Sequence, residues 1–144
     1  MSELPHILVT GSTGNLGEKA VDELEKAGCR VTRIGLNSNR KKGVITADLT
    51  QYSESWACHF AEIDIVLHLA ADPKPVATWA SVQTNNVDLS LNVLRAAQIH
   101  GVKRFVFASS NWIMGGHRFT NEKIHTSTSP LPINHYGASK IFFE

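Results

Sequence analysis

The sequence predicts an α/β protein with a doubly wound parallel sheet. Short apolar runs alternate along the chain with longer stretches whose apolar residues recur at helical spacing. Strands that alternate with helices form a parallel sheet through right-handed crossovers. Glycines and polar side chains come directly after the predicted strands, and ligands of such sheets bind outside the carboxyl ends of the strands. The pattern therefore predicts both the architecture and the edge of the sheet that carries the function.

Five strands and four helical stretches account for the predicted elements. The strands are placed at residues 7–9, 30–36, 44–47, 63–69 and 104–108. The helices are placed at residues 16–27, 53–60 and 77–100, with a last one beginning at His135. Residues 37–43 and 72–75 are predicted loops, and residues 114–134 a long irregular segment typical of a functional site. The fifth strand is apolar in its interior, which is typical of a central strand.

Composition indicates a protein of one domain that binds neither nucleic acid nor membrane. The chain has 144 residues, 42% hydrophobic and 19% charged, with a net charge of +1. No apolar run approaches the roughly 18 residues of a membrane helix, and the first residues do not resemble a signal peptide. Cys29 and Cys58 form no CxxC pair, and the histidines show no metal-ligand spacing. We therefore expect a cytoplasmic protein without a metal site.

Three glycines follow the first strand with the spacing G-x-x-G-x-x-G. Gly11 suits a tight turn off the strand, Gly14 lets the backbone approach a pyrophosphate, and Gly17 lets the following helix pack closely. Free N–H groups at the start of that helix attract an anion. A tight turn without a ligand would also use glycines. The strand before and the helix after favour dinucleotide binding, with Asn15 and Leu16 in the same loop.

Several other positions after strands are candidates for the same ligand, each with an alternative. Asp48 is placed to reach an adenine or, equally, to cap a helix. Ala70 and Ala71 are as small as a flat ligand over the strand ends requires, or are simply packing residues. Asn86, in the long helix, is a polar position buried against the sheet or an exposed amide.

Tyr136 and Lys140 are the candidates for acid–base chemistry. At i and i+4 of a helix their side chains lie on one face. A lysine ammonium close to a phenol favours the phenolate and lowers its pKa toward neutrality. Ser110, at the end of the fifth strand, could orient a substrate oxygen while Tyr136 exchanges its proton. A tyrosine and a lysine on a helix surface are the plainer interpretation.

Taken together, the motifs resemble those of the extended short-chain dehydrogenase/reductases. They occur in the family's order and spacing along the whole chain: Thr10-Gly11-x-x-Gly14-x-x-Gly17, Asp48-Leu49, His68-Leu69-Ala70-Ala71, Asn86-Val87, Ser109-Ser110 and Tyr136-x-x-x-Lys140. The resemblance implies a Rossmann-like fold and NAD or NADP as cofactor. It places the cofactor against Gly11, Gly14, Asn15, Leu16, Gly17, Asp48, Leu49, Leu69, Ala70, Ala71, Asn86, Tyr136 and Lys140.

Within that family, the strings around Ser110 and after His68 look most like the uronate dehydrogenases and archaeal sugar dehydrogenases. That branch oxidises a sugar or sugar acid at the anomeric carbon to a lactone. The resemblance makes Ser110 and Asn111 substrate contacts, Tyr136 the acid/base, and Lys140 the residue that holds the nicotinamide ribose. A nucleotide-sugar epimerase or dehydratase with bound NAD, and a non-catalytic dinucleotide-sensing module, are the alternatives.

The sequence departs from the family pattern in two places. Gly35 stands where an NAD enzyme usually has an acidic residue for the ribose, and basic residues follow at 40–42, which favours NADP. The chain also stops four residues after Lys140. We therefore expect residues 1–144 to be the NAD(P)-binding domain with the C-terminal substrate-binding part absent. The fifth strand would then be an open edge, and we expect a homo-oligomer or a fragment rather than an active monomer.

Overall fold

The computed structural model describes residues 4–37, 43–121 and 123–144. Its strands are β1 His6–Thr10, β2 Arg30–Gly35, β3 Val44–Thr46, β4 Ile65–His68 and β5 Arg104–Phe107. Its α-helices are α1 Asn15–Lys26, α2 Glu54–Ala57, α3 Trp79–Val82, α4 Leu89–Ile99 and α5 His135–Ile141. There are also 3₁₀ segments at Cys58–Phe60 and Asn111–Phe119 and a π-helical turn at Gln83–Asp88.

The strands form one parallel sheet in the order β3-β2-β1-β4-β5. The predicted fold class is confirmed. Within the described residues β5 pairs with β4 alone, so the expected open edge is confirmed and the central position that its apolar interior suggested is wrong. Arg104 and Val106 are exposed while Phe105 and Phe107 are partly buried, so one face of the strand is covered. The apolar side chain of Val106 hides this alternation in the sequence.

Helices cover both faces of the sheet. Leu8 of β1 faces the side of α2 and α4, in a buried cluster whose other members include Ile34, Trp56, Phe60, Val66 and Val93. Ile7 and Val9, its neighbours along β1, face the opposite side and pack with Val21 of α1. Successive side chains of a strand point to opposite faces, so a strand covered on both sides is apolar without a break. This explains the continuous apolar run of β1.

Asp64 joins the amino ends of three strands. One carboxylate oxygen accepts from the backbone N–H of His6 at 2.9 Å, and the other pairs with the Lys103 ammonium at 2.7 Å. Its carbonyl accepts from the backbone N–H groups of Lys103 and Arg104 at 3.1 and 3.2 Å. The hydrogen bonds from Lys103 and His6 hold the pKa of the Asp64 carboxyl below its ordinary value. β1, β4 and β5 are thus fastened at the end of the sheet opposite the glycine loop.

The chain divides into two compact units. The first, Met1–Ala71 with Asp88–Ala108, contains the sheet together with α1, α2 and α4. The second, Asp72–Val87 with Ser109–Glu144, contains α3, most of the π-helical turn and α5. Within the second unit, α5 packs against the 3₁₀ segment Asn111–Phe119 and against α3.

Two predicted segments differ in the structure. The helix predicted at residues 77–100 is interrupted by the π-helical turn Gln83–Asp88, where the side chain of Asn86 bonds to groups outside the helix. The segment predicted to be irregular from residue 114 lies in a 3₁₀ helix as far as Phe119. Ser110 caps that helix by accepting from the backbone N–H of Trp112 at 3.2 Å.

Candidate active site

The glycine loop is a turn in which two positions admit only glycine. Gly11 has φ +66°, and a Cβ there would lie 2.8 Å from the backbone nitrogen of Ala70. A Cβ on Gly17 would lie 2.0 Å from the carbonyl oxygen of Gly11. The close packing expected of Gly17 is therefore packing against the glycine turn itself. Ser12 anchors the turn, because its N–H and its hydroxyl both donate to the carbonyl of Ile34 at 3.1 and 3.0 Å.

The start of α1 has the properties of an anion site. Gly14 is the N-cap residue and has no side chain to cap the helix, so the first N–H groups receive no side-chain partner from that position. A Cβ on Gly14 would meet only the carbonyl oxygen of Gly11, at 3.3 Å. Asn15 and Leu16 are exposed beside it, Leu16 to 67%. A twelve-residue helix that begins in this way fits a pyrophosphate.

A buried relay of side chains holds the turn after β4. The Thr10 hydroxyl oxygen accepts from the backbone N–H groups of Leu69 and Ala70 at 3.2 and 3.3 Å and lies 2.6 Å from Nδ1 of His68. Because the hydroxyl accepts two bonds, its single proton is donated to Nδ1. Nε2 of His68 then carries the ring proton and donates to the Ser90 hydroxyl at 2.8 Å. No role was predicted for Thr10 or Ser90, although a polar residue inside an apolar run is a sign of a buried hydrogen bond.

Asp48 and Leu49 follow β3 in different environments. Asp48 is exposed, and its Oδ1 accepts from the hydroxyl of Thr50 at 2.7 Å and from its N–H at 2.9 Å. These bonds hold the pKa of the Asp48 carboxyl below its ordinary value. The alternative that Asp48 caps a helix is wrong, because Ser53 caps α2. Leu49 is buried in the core.

Gly35 ends β2 beside the glycine loop. A Cβ at Gly35 would lie 2.8 Å from Oγ1 and 2.9 Å from Cγ2 of Thr13. The space that an acidic side chain would enter is therefore taken by Thr13. The basic residues at 40–42, which favour NADP in the sequence, lie outside the described residues.

Tyr136 and Lys140 share one face of α5 in the second unit. The helix begins at the N-cap residue Asn134, whose side chain accepts from the N–H of Gly137 at 2.7 Å. Nζ of Lys140 lies 5.7 Å from the centre of the Tyr136 ring. Lys140 is only 4% exposed, and burial lowers the pKa of its ammonium group from 10.5 to about 8. Tyr136 is half-buried.

The structure brings the helix of Tyr136 into contact with the segment after Ser110. A Cβ on Gly137 would lie 2.5 Å from the carbonyl oxygen of Trp112, so the backbones of the two segments touch. Ser110 is half-buried, and the next residue, Asn111, is exposed. All four predicted catalytic and substrate residues, Ser110, Asn111, Tyr136 and Lys140, therefore belong to one compact unit.

Asn86 has its side chain directed into the second unit and is 4% exposed. Its Oδ1 accepts from the N–H of Asp72 at 2.8 Å. Its Nδ2 donates to the carbonyl of Asp72 and to the hydroxyl of Ser139, both at 3.2 Å. Ser139 precedes Lys140 and had no predicted role.

Comparison with known proteins decides the family. The NAD dependent epimerase/dehydratase family matches residues 7–144 of the chain. The chain belongs to this family. Its resemblance to extended short-chain dehydrogenase/reductases is thereby confirmed, and the glycine turn described above fits the NAD on which the family depends.

Members of the epimerase/dehydratase family with different reactions are similar to this chain. An L-arabinose 1-dehydrogenase (NAD(P)(+)) of Haloferax volcanii is 33% identical over 98% of this chain and 59% of its own length. A uronate dehydrogenase of Pseudomonas putida is 32% identical over 96% of this chain and 52% of its own length. A Thermus thermophilus UDP-glucose 4-epimerase in complex with NAD superposes with a TM-score of 0.84, at 27% identity over 96% of this chain and 48% of that chain.

The chain thus spans about half the length of the family members it matches. Within residues 4–37, 43–121 and 123–144, no helix is long and apolar enough to cross a membrane. Over the same residues, no three His, Cys, Asp or Glu side chains are grouped as a metal would require.

Proposed function

We propose that this protein is an NAD(P)-dependent dehydrogenase that oxidises a sugar or uronic acid at the anomeric carbon to a lactone. One observation carries the proposal: a buried lysine faces the ring of a tyrosine on a helix that touches the Ser110 segment. Similarity to an L-arabinose 1-dehydrogenase and a uronate dehydrogenase supports the substrate class. The sugar and the reaction of the whole protein are part of the proposal.

In this proposal the glycine turn and the start of α1 bind the cofactor through Gly11, Gly14, Asn15, Leu16 and Gly17. Asp48 reaches the adenine, and Leu49, whose side chain is buried, contributes its backbone. Leu69, Ala70 and Ala71 lie beneath the cofactor, and Thr10 holds the backbone of the first two. Lys140 holds the nicotinamide ribose. The chemistry supplied by bound NAD(P)⁺ is acceptance of a hydride from the sugar carbon.

The acid–base role falls to Tyr136. Its side-chain oxygen takes up the proton of the sugar hydroxyl, and Ser110 and Asn111 hold the sugar oxygens in place. The pKa of Lys140 is about 8, so its ammonium form dominates at neutral pH and places a positive charge close to the Tyr136 ring. Burial keeps water from screening this interaction.

We propose that NADP is used at least as well as NAD. Thr13 fills the space beside Gly35, so an acidic group that would repel a 2′-phosphate is missing at that position. The Thr13 hydroxyl offers a neutral contact to either form of the ribose.

Similarity to a UDP-glucose 4-epimerase favours a second candidate, a nucleotide-sugar epimerase that keeps NAD bound. Sugar-dependent absorbance at 340 nm separates the two. A dehydrogenase accumulates reduced cofactor with L-arabinose, galacturonate or glucuronate, whereas an epimerase converts UDP-glucose without net reduction. A dinucleotide sensor would bind NAD(P) and do neither.

We also propose that the protein assembles as a homo-oligomer. β5 is an edge of the described sheet, with Val106 41% exposed, and Phe142 of the second unit is 64% exposed. Unpaired sheet edges and exposed apolar groups recruit other chains. Sedimentation velocity tests this directly, since a stable monomer at micromolar concentration would contradict it.

A further inference from the structure

The hydrogen bonds of Asn86 fix the orientation of its amide. The backbone of Asp72 presents a donor and an acceptor to the same side chain, so its N–H must meet Oδ1 and its carbonyl must meet Nδ2. An inverted amide would set donor against donor and acceptor against acceptor. Nδ2 carries two protons, and the second is donated to the Ser139 hydroxyl. Both donors of Asn86 are therefore engaged within the protein.

Ser139 passes this contact on to the catalytic part of α5. Its hydroxyl accepts from Asn86, and its own proton is donated to the carbonyl of Tyr136 at 2.8 Å. Ser139 is 3% exposed, and Lys140, the next residue, is 4% exposed. The buried hydroxyl of Ser139 thus joins the backbone of Tyr136 to the amide of Asn86, which lies 53 residues from Ser139 in the sequence.

The other end of the contact is also held. Oδ2 of Asp72 accepts from the hydroxyl of Ser81 at 2.6 Å, and Oδ1 accepts from the N–H of Lys74 at 3.1 Å. The turn that Asn86 binds is therefore fixed to α3 as well as to itself. The buried amide of Asn86 therefore sets the distance between the Asp72 turn and α5, to which it is joined through Ser139.

We propose that Asn86 is a positioning residue that holds the Tyr136–Lys140 turn of α5 through Ser139, rather than a residue that binds the dinucleotide. This inference rests on the proposed function, since it concerns the same acid–base pair. The role of the π-helical turn is to direct Asn86 toward Ser139. Asn85, the preceding residue, donates instead to Ser81 within the same helical stretch and serves as the matched control.

The first test needs neither cofactor nor substrate. The pKa of Lys140 is measured by NMR in the 144-residue chain with ¹³C-labelled lysine, and Lys140→Arg assigns the signal. In Ser139→Ala and in Asn86→Asp, α5 loses a buried partner and admits water, so the pKa of Lys140 should rise by about one pH unit toward its ordinary value. Asn85→Ala should leave it within about 0.3 pH units of the wild type. If Asn86→Asp does not fold, Ser139→Ala decides.

Unchanged Lys140 titration in both variants, or an equal change in Asn85→Ala, would overturn the positioning role. The second test uses a protein that extends this chain to the length of its relatives, and it compares kcat with the dissociation constant of NAD. Ser139→Ala and Asn86→Asp should each lower kcat about tenfold to a hundredfold, as expected of a displaced acid–base group, with NAD affinity changed less than about twofold. The double variant should be no worse than the poorer single variant.

Weakened NAD binding with kcat unchanged would assign Asn86 to the cofactor and overturn the proposal. If no sugar is oxidised or epimerised, the proposed function fails, whereas the NMR titration still tests the positioning role. Failure of the proposed function and failure of the positioning role can therefore be told apart.

Discussion

Nζ of Lys140 lies 5.7 Å from the centre of the Tyr136 ring, one turn along the same helix. The lysine is buried and the tyrosine is half-buried, so the charge acts on the ring with little water between them. A surface pair at this spacing would be screened and of little chemical use. The burial of Lys140 therefore supports the proposed catalytic pair over a tyrosine and a lysine on a helix surface.

Replacement of Tyr136 by phenylalanine removes the proposed acid/base and keeps the ring that faces Lys140. We expect turnover to fall by about 10² to 10⁴ while NAD affinity stays nearly unchanged. The second tyrosine of the chain, Tyr52, packs against Trp56 and Arg95 in the first unit, so Tyr52→Phe is the matched control. Steady-state rates and NAD titrations on both variants give the answer. Most activity remaining in Tyr136→Phe would contradict the catalytic assignment.

Alanine at two glycines separates folding from cofactor binding. Gly17→Ala places a Cβ 2.0 Å from the Gly11 carbonyl oxygen, which forces the turn to move. We expect it to lower the free energy of unfolding by about 1 to 3 kcal/mol and to abolish NAD binding. Gly14→Ala meets that oxygen only at 3.3 Å, so it should fold nearly normally and weaken NAD alone. Denaturant unfolding measures the free energy of unfolding, and calorimetric titration measures NAD affinity. Equal stability of the two variants would contradict the prediction.

The proposed use of NADP rests on the space between Gly35 and Thr13. The wild type should bind NADP at least as tightly as NAD, and Gly35→Asp with Thr13→Ala should shift the preference toward NAD by about tenfold, or about 1.4 kcal/mol. Gly35→Ala with Thr13→Ala controls for the altered packing. Parallel titrations with both cofactors measure the ratio. A wild type that prefers NAD tenfold would show that the missing carboxylate does not determine the choice.

The burial of Lys140 predicts a pH-dependent stability. Its pKa is about 8 in the folded protein and 10.5 when exposed. Below pH 8 both states hold the proton and the folded state bears the full cost of a buried charge. Between these pKa values only the unfolded state binds the proton, so the free energy of unfolding rises with pH, by about 3 kcal/mol in total. In Lys140→Met this rise should be missing, and denaturant unfolding at several pH values between 7 and 10.5 compares the two proteins. Parallel curves would contradict the burial of a charged group.

Much of the fold was predictable because its determinants are local. The glycines after β1 and the alternation of apolar runs are readable within a few residues, and they predicted the parallel sheet. The open edge at β5 was predicted, but the full order of the strands was not, since it depends on which distant strands pair with each other. The π-helical turn was also missed, because Asn86 is held by Asp72 and Ser139, which lie 14 and 53 residues away.

In the candidate site too, local features were predictable from the sequence and features that depend on distant residues were not. The spacing of Tyr136 and Lys140 was visible in the sequence, whereas the burial that lowers the pKa of Lys140 comes from the packing of α5. Thr10, His68 and Ser90 form a relay only when β1, β4 and α4 are packed together. A polar residue inside an apolar run is a sign of burial, but the sequence does not identify its hydrogen-bond partner.

The two ends of β1 serve different purposes, one structural and one at the glycine turn. At one end His6 is fastened to Asp64, and at the other Thr10 leads into the glycine turn. This separation is useful for protein engineering. Substitutions around Asp64 and Lys103 can be used to change thermal stability, and substitutions around Gly35 and Thr13 can be used to change the preference for NAD or NADP. Because the length of the strand lies between them, the two libraries can be screened independently and their best members combined.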